Sequence, residues 1–118
     1  LDACGDELPV WSGNDDLTVP LLSLGAKGVI SVLSNVRPKR TLQMVRACQD
    51  GDYAAAGRMQ VALTPLIDAL FSEINPIPVK QALSLMGIPA GLPRLPLTPL
   101  SATHLPALEQ ALSAAPEP

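Results

Sequence analysis

Residues 8–32 decide the fold: Leu8-Pro9-Val10-Trp11-Ser12-Gly13, then Asn14-Asp15-Asp16-Leu17-Thr18-Val19-Pro20-Leu21-Leu22-Ser23-Leu24-Gly25-Ala26-Lys27, then Gly28-Val29-Ile30-Ser31-Val32. The first piece is a short apolar run closed by Gly13. The last is β-branched and nearly continuous in its hydrophobicity. Both patterns predict strands buried on two faces. Between them, Asp15 or Asp16 can cap a helix running to about Leu24, with Pro20 tolerated in its first turn and Gly25 closing it. A helix between two buried strands is a β-α-β unit, so the strands are expected to be parallel and joined by a right-handed crossover. Two such strands leave their outer edges unpaired, and the unit therefore requires neighbours from the same polypeptide or another chain.

From Pro38 onward the strand signals stop. Leu42, Val45 and Cys48, with Met44 beside them, predict a helix that ends at Gln49-Asp50-Gly51. A longer helix is expected from Asp52 to about Ser72, with Tyr53, Met59, Leu63, Leu66, Ile67 and Leu70 along one side and a kink at Pro65. Asn75-Pro76-Ile77-Pro78-Val79-Lys80 opens another, with Asn75 as cap, both prolines in the first turn and Gly87 at its end. The Pro-rich stretch 88–99 reads as an extended surface connection, and a last helix carrying Leu105, Leu108 and Leu112 starts near Thr103 and stops before Pro116. The fold class is thus α/β at the start and all-helical afterwards.

The 118 residues are 47% hydrophobic and 16% charged, enough for one modest core. A net charge of -3 gives no electrostatic footprint for nucleic acid or an anionic membrane surface. The apolar stretches are all interrupted before the roughly 18 residues a membrane span needs. Cys4 and Cys48 stand far apart without metal-ligand spacing, which points to reduced, intracellular thiols. Leu1-Asp2-Ala3-Cys4-Gly5 has no signal-peptide pattern and reads as the last turn of a helix with its glycine cap, the earlier turns being missing.

No catalytic set emerges from spacing alone. His104 has no carboxylate or cysteine close in sequence, so it reads as a surface or capping residue. Asp15 and Asp16 lack the third carboxylate of a calcium loop and read as helix caps, although they follow the carboxyl end of a strand, where α/β folds place ligands. A lysine in an apolar strand can form a Schiff base, but Lys27 precedes the second strand at its wrong end, Lys39 sits in Arg37-Pro38-Lys39-Arg40, and Lys80 lies in a helix. Solvated or carboxylate-paired roles suit all three, and the basic cluster reads as a solvated loop and helix start.

Three segments in order, 12–20 (SGNDDLTVP), 24–32 (LGAKGVISV) and 75–80 (NPIPVK), resemble the C-terminal part of the dihydrodipicolinate synthases, also called 4-hydroxy-tetrahydrodipicolinate synthases. The stretch 94–100 (RLPLTPL) is similar to that family's segment before its last helix. The resemblance implies a (β/α)8 barrel followed by an all-helical C-terminal domain. Residues 8–13 would be barrel strand seven and residues 28–32 strand eight, with residues 1–50 forming the last two β/α units and residues 51–118 the helical domain. The missing partner of the bare edges would be the N-terminal portion of the barrel.

The resemblance further implies a lyase that condenses pyruvate with aspartate semialdehyde through a Schiff base, in lysine and diaminopimelate biosynthesis. The imine-forming lysine lies on strand six in that family, so this chain would hold no catalytic residue and would be inactive alone. What carries over is substrate contact. Ile30 matches a position that touches bound pyruvate through its main chain, and Gly13 matches a glycine whose carbonyl faces the site. Asn14 stands where many members have aspartate. No metal and no diffusible cofactor are implied, and a cytoplasmic homotetramer is. The rival readings are a related pyruvate aldolase, such as an N-acetylneuraminate lyase or a keto-deoxy-sugar-acid aldolase, and a non-catalytic fragment or interaction module.

Overall fold

In a computed structural model, residues 5–118 are described; the expected helix end at 1–4, and Cys4 with it, lie outside them. Two strands, β1 (Trp11–Ser12) and β2 (Gly28–Val29), pair in parallel with Trp11 opposite Gly28 and Ser12 opposite Val29. The helix between them, α1 (Thr18–Ser23), follows a 3-10 turn over Asp15–Leu17 and ends at Gly25, whose φ of 102° excludes most side chains. Both strands are shorter than the runs 8–13 and 28–32 suggest. Flanking bonds from Lys27 N–H to Val10 O and from Ile30 N–H to Ser12 O, each 2.8 Å, extend the pairing by a residue or so. Beyond Ile30 the chain turns away into a 3-10 turn over Leu33–Asn35.

The expectation of strands buried on two faces does not hold within this chain. Trp11 is 53% exposed and Ile30 71% exposed, because nothing among the described residues covers the outer side of the pair. A Cβ at Gly28 would lie 2.5 Å from the Trp11 ring that crosses it from β1, so any side chain there requires that half-exposed ring to move.

Four further helices follow: α2 (Pro38–Gln49), α3 (Tyr53–Leu70), α4 (Ile77–Leu85) and α5 (Leu105–Ala114). α2 buries Thr41, Met44 and Cys48, while Leu42 faces outward, so the inward stripe lies one position round from the one expected. Burial pushes the Cys48 thiol pKa up, as desolvation does to any group that must become an anion. α3 is capped by Asp52, which accepts from Ala55 N–H at 2.9 Å, and runs through the exposed Pro65 to Leu70. Tyr53 is not part of its buried face; its hydroxyl instead donates to Leu22 O at 3.3 Å, fastening the start of α3 to the end of α1. Asn75 is not the cap of α4, since Pro76 occupies that position and Pro78, two residues inside, has no amide to offer a capping side chain.

One core holds the helices together. Leu33 and Val36 from the turn after β2 pack with Met44 of α2, Leu63, Leu66 and Leu70 of α3, Ala82 of α4 and Leu108 of α5, all buried. A smaller cluster of Leu22, Ala26, Cys48 and Ala56 joins α1 to α2 and α3. The two clusters cross residues 50 and 51, with Met44 of α2 against Leu63, Leu66 and Leu70 of α3, and Cys48 of α2 against Ala56 of α3.

Of the basic cluster 37–40, Pro38 opens α2 and Lys39 is exposed, as a solvated helix start would be, but Arg37 is buried. Arg37 is 6% exposed, and its guanidinium donates to Ala115 O, to Leu112 O at 2.6 Å and to Val36 O at 2.6 Å. Arg40 donates to Pro116 O, and Lys39 Nζ to Pro118 O at 3.1 Å. Leu112 O belongs to the last turn of α5, where carbonyls lack helical partners and the dipole is negative, and the other acceptors lie in the segment that follows it. Desolvation lowers the Arg37 pKa, and the nearby Glu117 carboxylate works against that shift. Arg37→Met leaves three buried carbonyls unpaired and is expected to lower the unfolding free energy by about 2–4 kcal/mol, with Arg37→Lys recovering only part of it because an ammonium lacks the planar fork. Urea unfolding of the three proteins checks this, and equal midpoints would show that the clamp contributes nothing.

Candidate functional site

The carboxyl ends of β1 and β2 are held by one buried side chain. Asp15 is 1% exposed, and its carboxylate accepts from the Ser31 hydroxyl, from Val32 N–H at 2.9 Å and from Leu33 N–H at 3.0 Å. Neither aspartate caps α1. Asp15 reaches instead across the strand pair and caps the turn that follows β2, because burial against that turn supplies two otherwise unpaired amides. Its own carbonyl accepts from Thr18 Oγ1 at 2.9 Å and from Gln60 Nε2 at 3.1 Å, and Gln60 Oε1 accepts from Val19 N–H at 3.3 Å. Gln60 comes from the middle of α3, so this network fixes the strand ends to the helices behind them.

Beyond those strand ends opens a cleft of about 650 Å3, within the range of small-molecule sites. Gly13, Ile30, Ser31, Val32 and Asn35 line it from the strand side, and Asn75, Pro76, Val79, Lys80 and Leu83 from α4 and its approach. Gly13 and Ile30, separated in sequence by α1, are thus brought to one cavity. The Ile30 N–H is committed to Ser12 O, which leaves its carbonyl as the main-chain group able to meet an occupant. A Cβ at Gly13 would meet nothing within 4 Å among the described residues, so their packing does not demand glycine there and a side chain would act on the space left in the cleft.

The polar capacity of the cleft is uneven. Ser31 has no proton left to give, since it donates to Asp15 while accepting from Ser34 N–H at 2.8 Å. Asn35 donates to Val32 O at 3.0 Å and keeps its side-chain oxygen. Lys80 is half-buried and makes no ion pair among the described residues, and no aspartate or glutamate lines the cleft. Lysine in a helix reads as solvated from sequence, and Asn75 as a cap; both readings missed this cavity. The signal was present in the spacing, since Pro76, Val79, Lys80 and Leu83 fall at the i, i+3, i+4, i+7 positions of one helix face.

His104 is placed elsewhere. Its Nδ1 lies 2.9 Å from Glu73 Oε1 and 3.2 Å from Ser101 Oγ, a carboxylate partner that sequence proximity did not offer. Hydrogen bonding to Ser101 first, and to His104 next, lowers the Glu73 pKa from 4.5 to about 2. Both contacts fall on the same ring nitrogen, whereas a serine-histidine-carboxylate relay uses one nitrogen for each partner. The trio ties the start of α5 to the end of α3. Among the described residues no three His, Cys, Asp or Glu side chains converge, and no helix is long and apolar enough to cross a membrane.

The sequence model of the dihydrodipicolinate synthetase family matches residues 1–115. This chain belongs to that family. The 4-hydroxy-tetrahydrodipicolinate synthase of Acetivibrio thermocellus is 46% identical over 112 residues, covering 95% of this chain and 38% of that protein. Among solved structures, the chloride-inhibited dihydrodipicolinate synthase of Acinetobacter baumannii in complex with pyruvate superposes with a TM-score of 0.90 at 39% identity, covering 96% of this chain and 39% of that one. A dihydrodipicolinate synthase variant described as the first monomeric one gives a TM-score of 0.88 at 44% identity, over 96% of this chain and 38% of that one. The chain therefore spans less than two fifths of the length of these relatives.

The strand ends are predicted to depend on the Asp15 carboxylate. Asp15→Ala should raise amide hydrogen exchange at Val32 and Leu33 and cost about 2–4 kcal/mol of stability, since buried hydrogen bonds to a charged acceptor are lost together. Unchanged protection of both amides would show that the turn holds itself.

Proposed function

We propose that this chain is the C-terminal part of a lyase that condenses pyruvate with aspartate semialdehyde to 4-hydroxy-tetrahydrodipicolinate, in lysine and diaminopimelate biosynthesis. In this reading residues 1–50 are the last two β/α units of the (β/α)8 barrel, with β1 and β2 as strands seven and eight, and residues 51–118 are its helical C-terminal domain. The observation that carries it is the meeting of Gly13 and Ile30 on one cleft at the carboxyl ends of a parallel pair, where barrels bind their ligands. The open apolar hollow over Trp11, Val29, Leu42 and Val45 supports it, because the preceding barrel units would cover such a face.

The chemistry then divides between this chain and the rest of the protein. A lysine amine from outside residues 1–118 adds to the keto carbon of pyruvate and expels water, giving an imine. Loss of a methyl proton gives an enamine, whose carbon forms the new bond to the aldehyde carbon of the second substrate as the aldehyde oxygen takes up a proton; the second substrate's amino group then closes the ring on the imine carbon and expels the lysine amine. Ile30 supplies its carbonyl and Gly13 the space to hold the pyruvate unit against the strand ends, while the Asp15 network keeps that wall rigid. No metal or diffusible cofactor takes part. The assembled protein is proposed to be a cytoplasmic homotetramer.

The full-length protein treated with pyruvate and borohydride should gain one pyruvate unit on a lysine outside residues 1–118, and should turn over aspartate semialdehyde. Turnover with an aminosugar alone, or an adduct on Lys27, Lys39 or Lys80, would overturn the proposal.

A further inference from the structure

We infer that Arg37 is a positioning residue for the cleft, because its one guanidinium ties together the elements that form the two walls of the cavity. The inference rests on the pyruvate-lyase reading and deepens it by naming what holds that site in shape. The partners of Arg37 come from three places. Nη1 donates to Val36 O at 2.6 Å, in the turn that continues from the strand ends, and lies 3.6 Å from Met86 Sδ at the C-terminal end of α4. Nη2 donates to Leu112 O at 2.6 Å and Nε to Ala115 O, both at the end of α5. Ile30 and Val32 line the cleft from the strand side, and Val79, Lys80 and Leu83 line it from α4. Arg37 touches none of the space between them, yet it joins both sides from behind.

A guanidinium suits this junction for a physical reason. Its planar fork is rigid, so bonds to several acceptors fix the angle between elements as well as their distance. The rest of the joint is apolar: Val79 and Ala82 of α4 share one core with Leu33 and Val36 of the turn. Burial of that kind attracts without direction. The strand side already has its own anchor in Asp15, which accepts from Val32 N–H and Leu33 N–H. Loss of Arg37 therefore frees α4 and the end of α5 to shift against a strand wall that stays put, and the cavity widens. Arg37 is 6% exposed among residues 5–118 alone, so its enclosure and its bonds do not wait on any further polypeptide.

The test uses the full-length protein at a temperature where circular dichroism shows every variant folded. In Arg37→Lys and Arg37→Met, KM for pyruvate should rise by roughly fivefold or more, because small misplacements in a site are costly. Arg40→Met, which frees Pro116 but leaves the guanidinium of Arg37 in place, should keep the KM of the unaltered protein. A purely structural Arg37 would lower kcat with the active fraction and leave KM level, and that result overturns the inference, as does an equal rise in Arg40→Met. Amide exchange gives a readout independent of turnover: in Arg37→Lys, exchange at Val36 and Met86 should rise more than at Leu63 and Leu66 of α3. A uniform rise across all four would mean general loosening and overturn the inference. Failure of the unaltered protein to trap pyruvate would instead overturn the lyase reading, and the exchange result would still decide whether Arg37 joins the two walls.

Discussion

The carboxylate of Asp15 is the interaction on which the rest of the site depends. It is almost fully enclosed, and it accepts from Ser31, Val32 and Leu33 across a strand pair only two residues long on each side. So short a ladder cannot fix the position of Ile30 by itself, since a two-stranded sheet is marginal in water. Asp15 adds a third anchor at the point where β2 ends. Through its own carbonyl and Gln60 it passes that constraint to α3, which packs into the main core through Leu63, Leu66 and Leu70.

The same logic operates at the other end of the chain. Arg37, immediately before α2, places its guanidinium on the carbonyls that close α5, and Leu33 and Val36 just upstream are completely buried in the core. The segment from Ser31 to Arg37 is therefore pinned from both sides, by an anion at its start and by its own cation at its end. α4 packs against this segment and carries Asn75 to Leu83 to the cleft, so the rigidity of the 31–37 turn sets the width of the cavity. That is the route by which residues far from any substrate would govern the reaction.

Much of this was legible in the sequence. The periodicity of residues 53–70, the glycine stops at Gly25, Gly51 and Gly87, and the β-branched run 28–32 gave the helices and the parallel pair in the right order. What was not legible depends on partners distant in sequence. Asp15 resembles a helix cap because local spacing cannot reveal that its acceptors' donors lie 16 to 18 residues ahead. Arg37 looks solvated because two of its three carbonyl partners are 75 and 78 residues away. The outward turn of Leu42 and the exposure of Trp11 and Ile30 were missed for a different reason: apolar pattern reports burial in the assembled protein, and the described residues include only part of what the pattern anticipates. Of the site, Gly13 and Ile30 came from family resemblance, while Lys80 and Asn75 emerged only when α4 was seen facing the strand ends.

The account's central claim is that these strand ends form the wall of a pyruvate site. A crystal structure of the full-length protein, trapped with pyruvate and borohydride, tests it most directly. The reduced adduct should lie in the cleft within hydrogen-bonding reach of the Ile30 carbonyl and in contact with Gly13, with β1 paired along its second edge to a preceding strand. An adduct bound away from both residues, or a β1 whose outer edge faces solvent in the whole protein, would contradict the account.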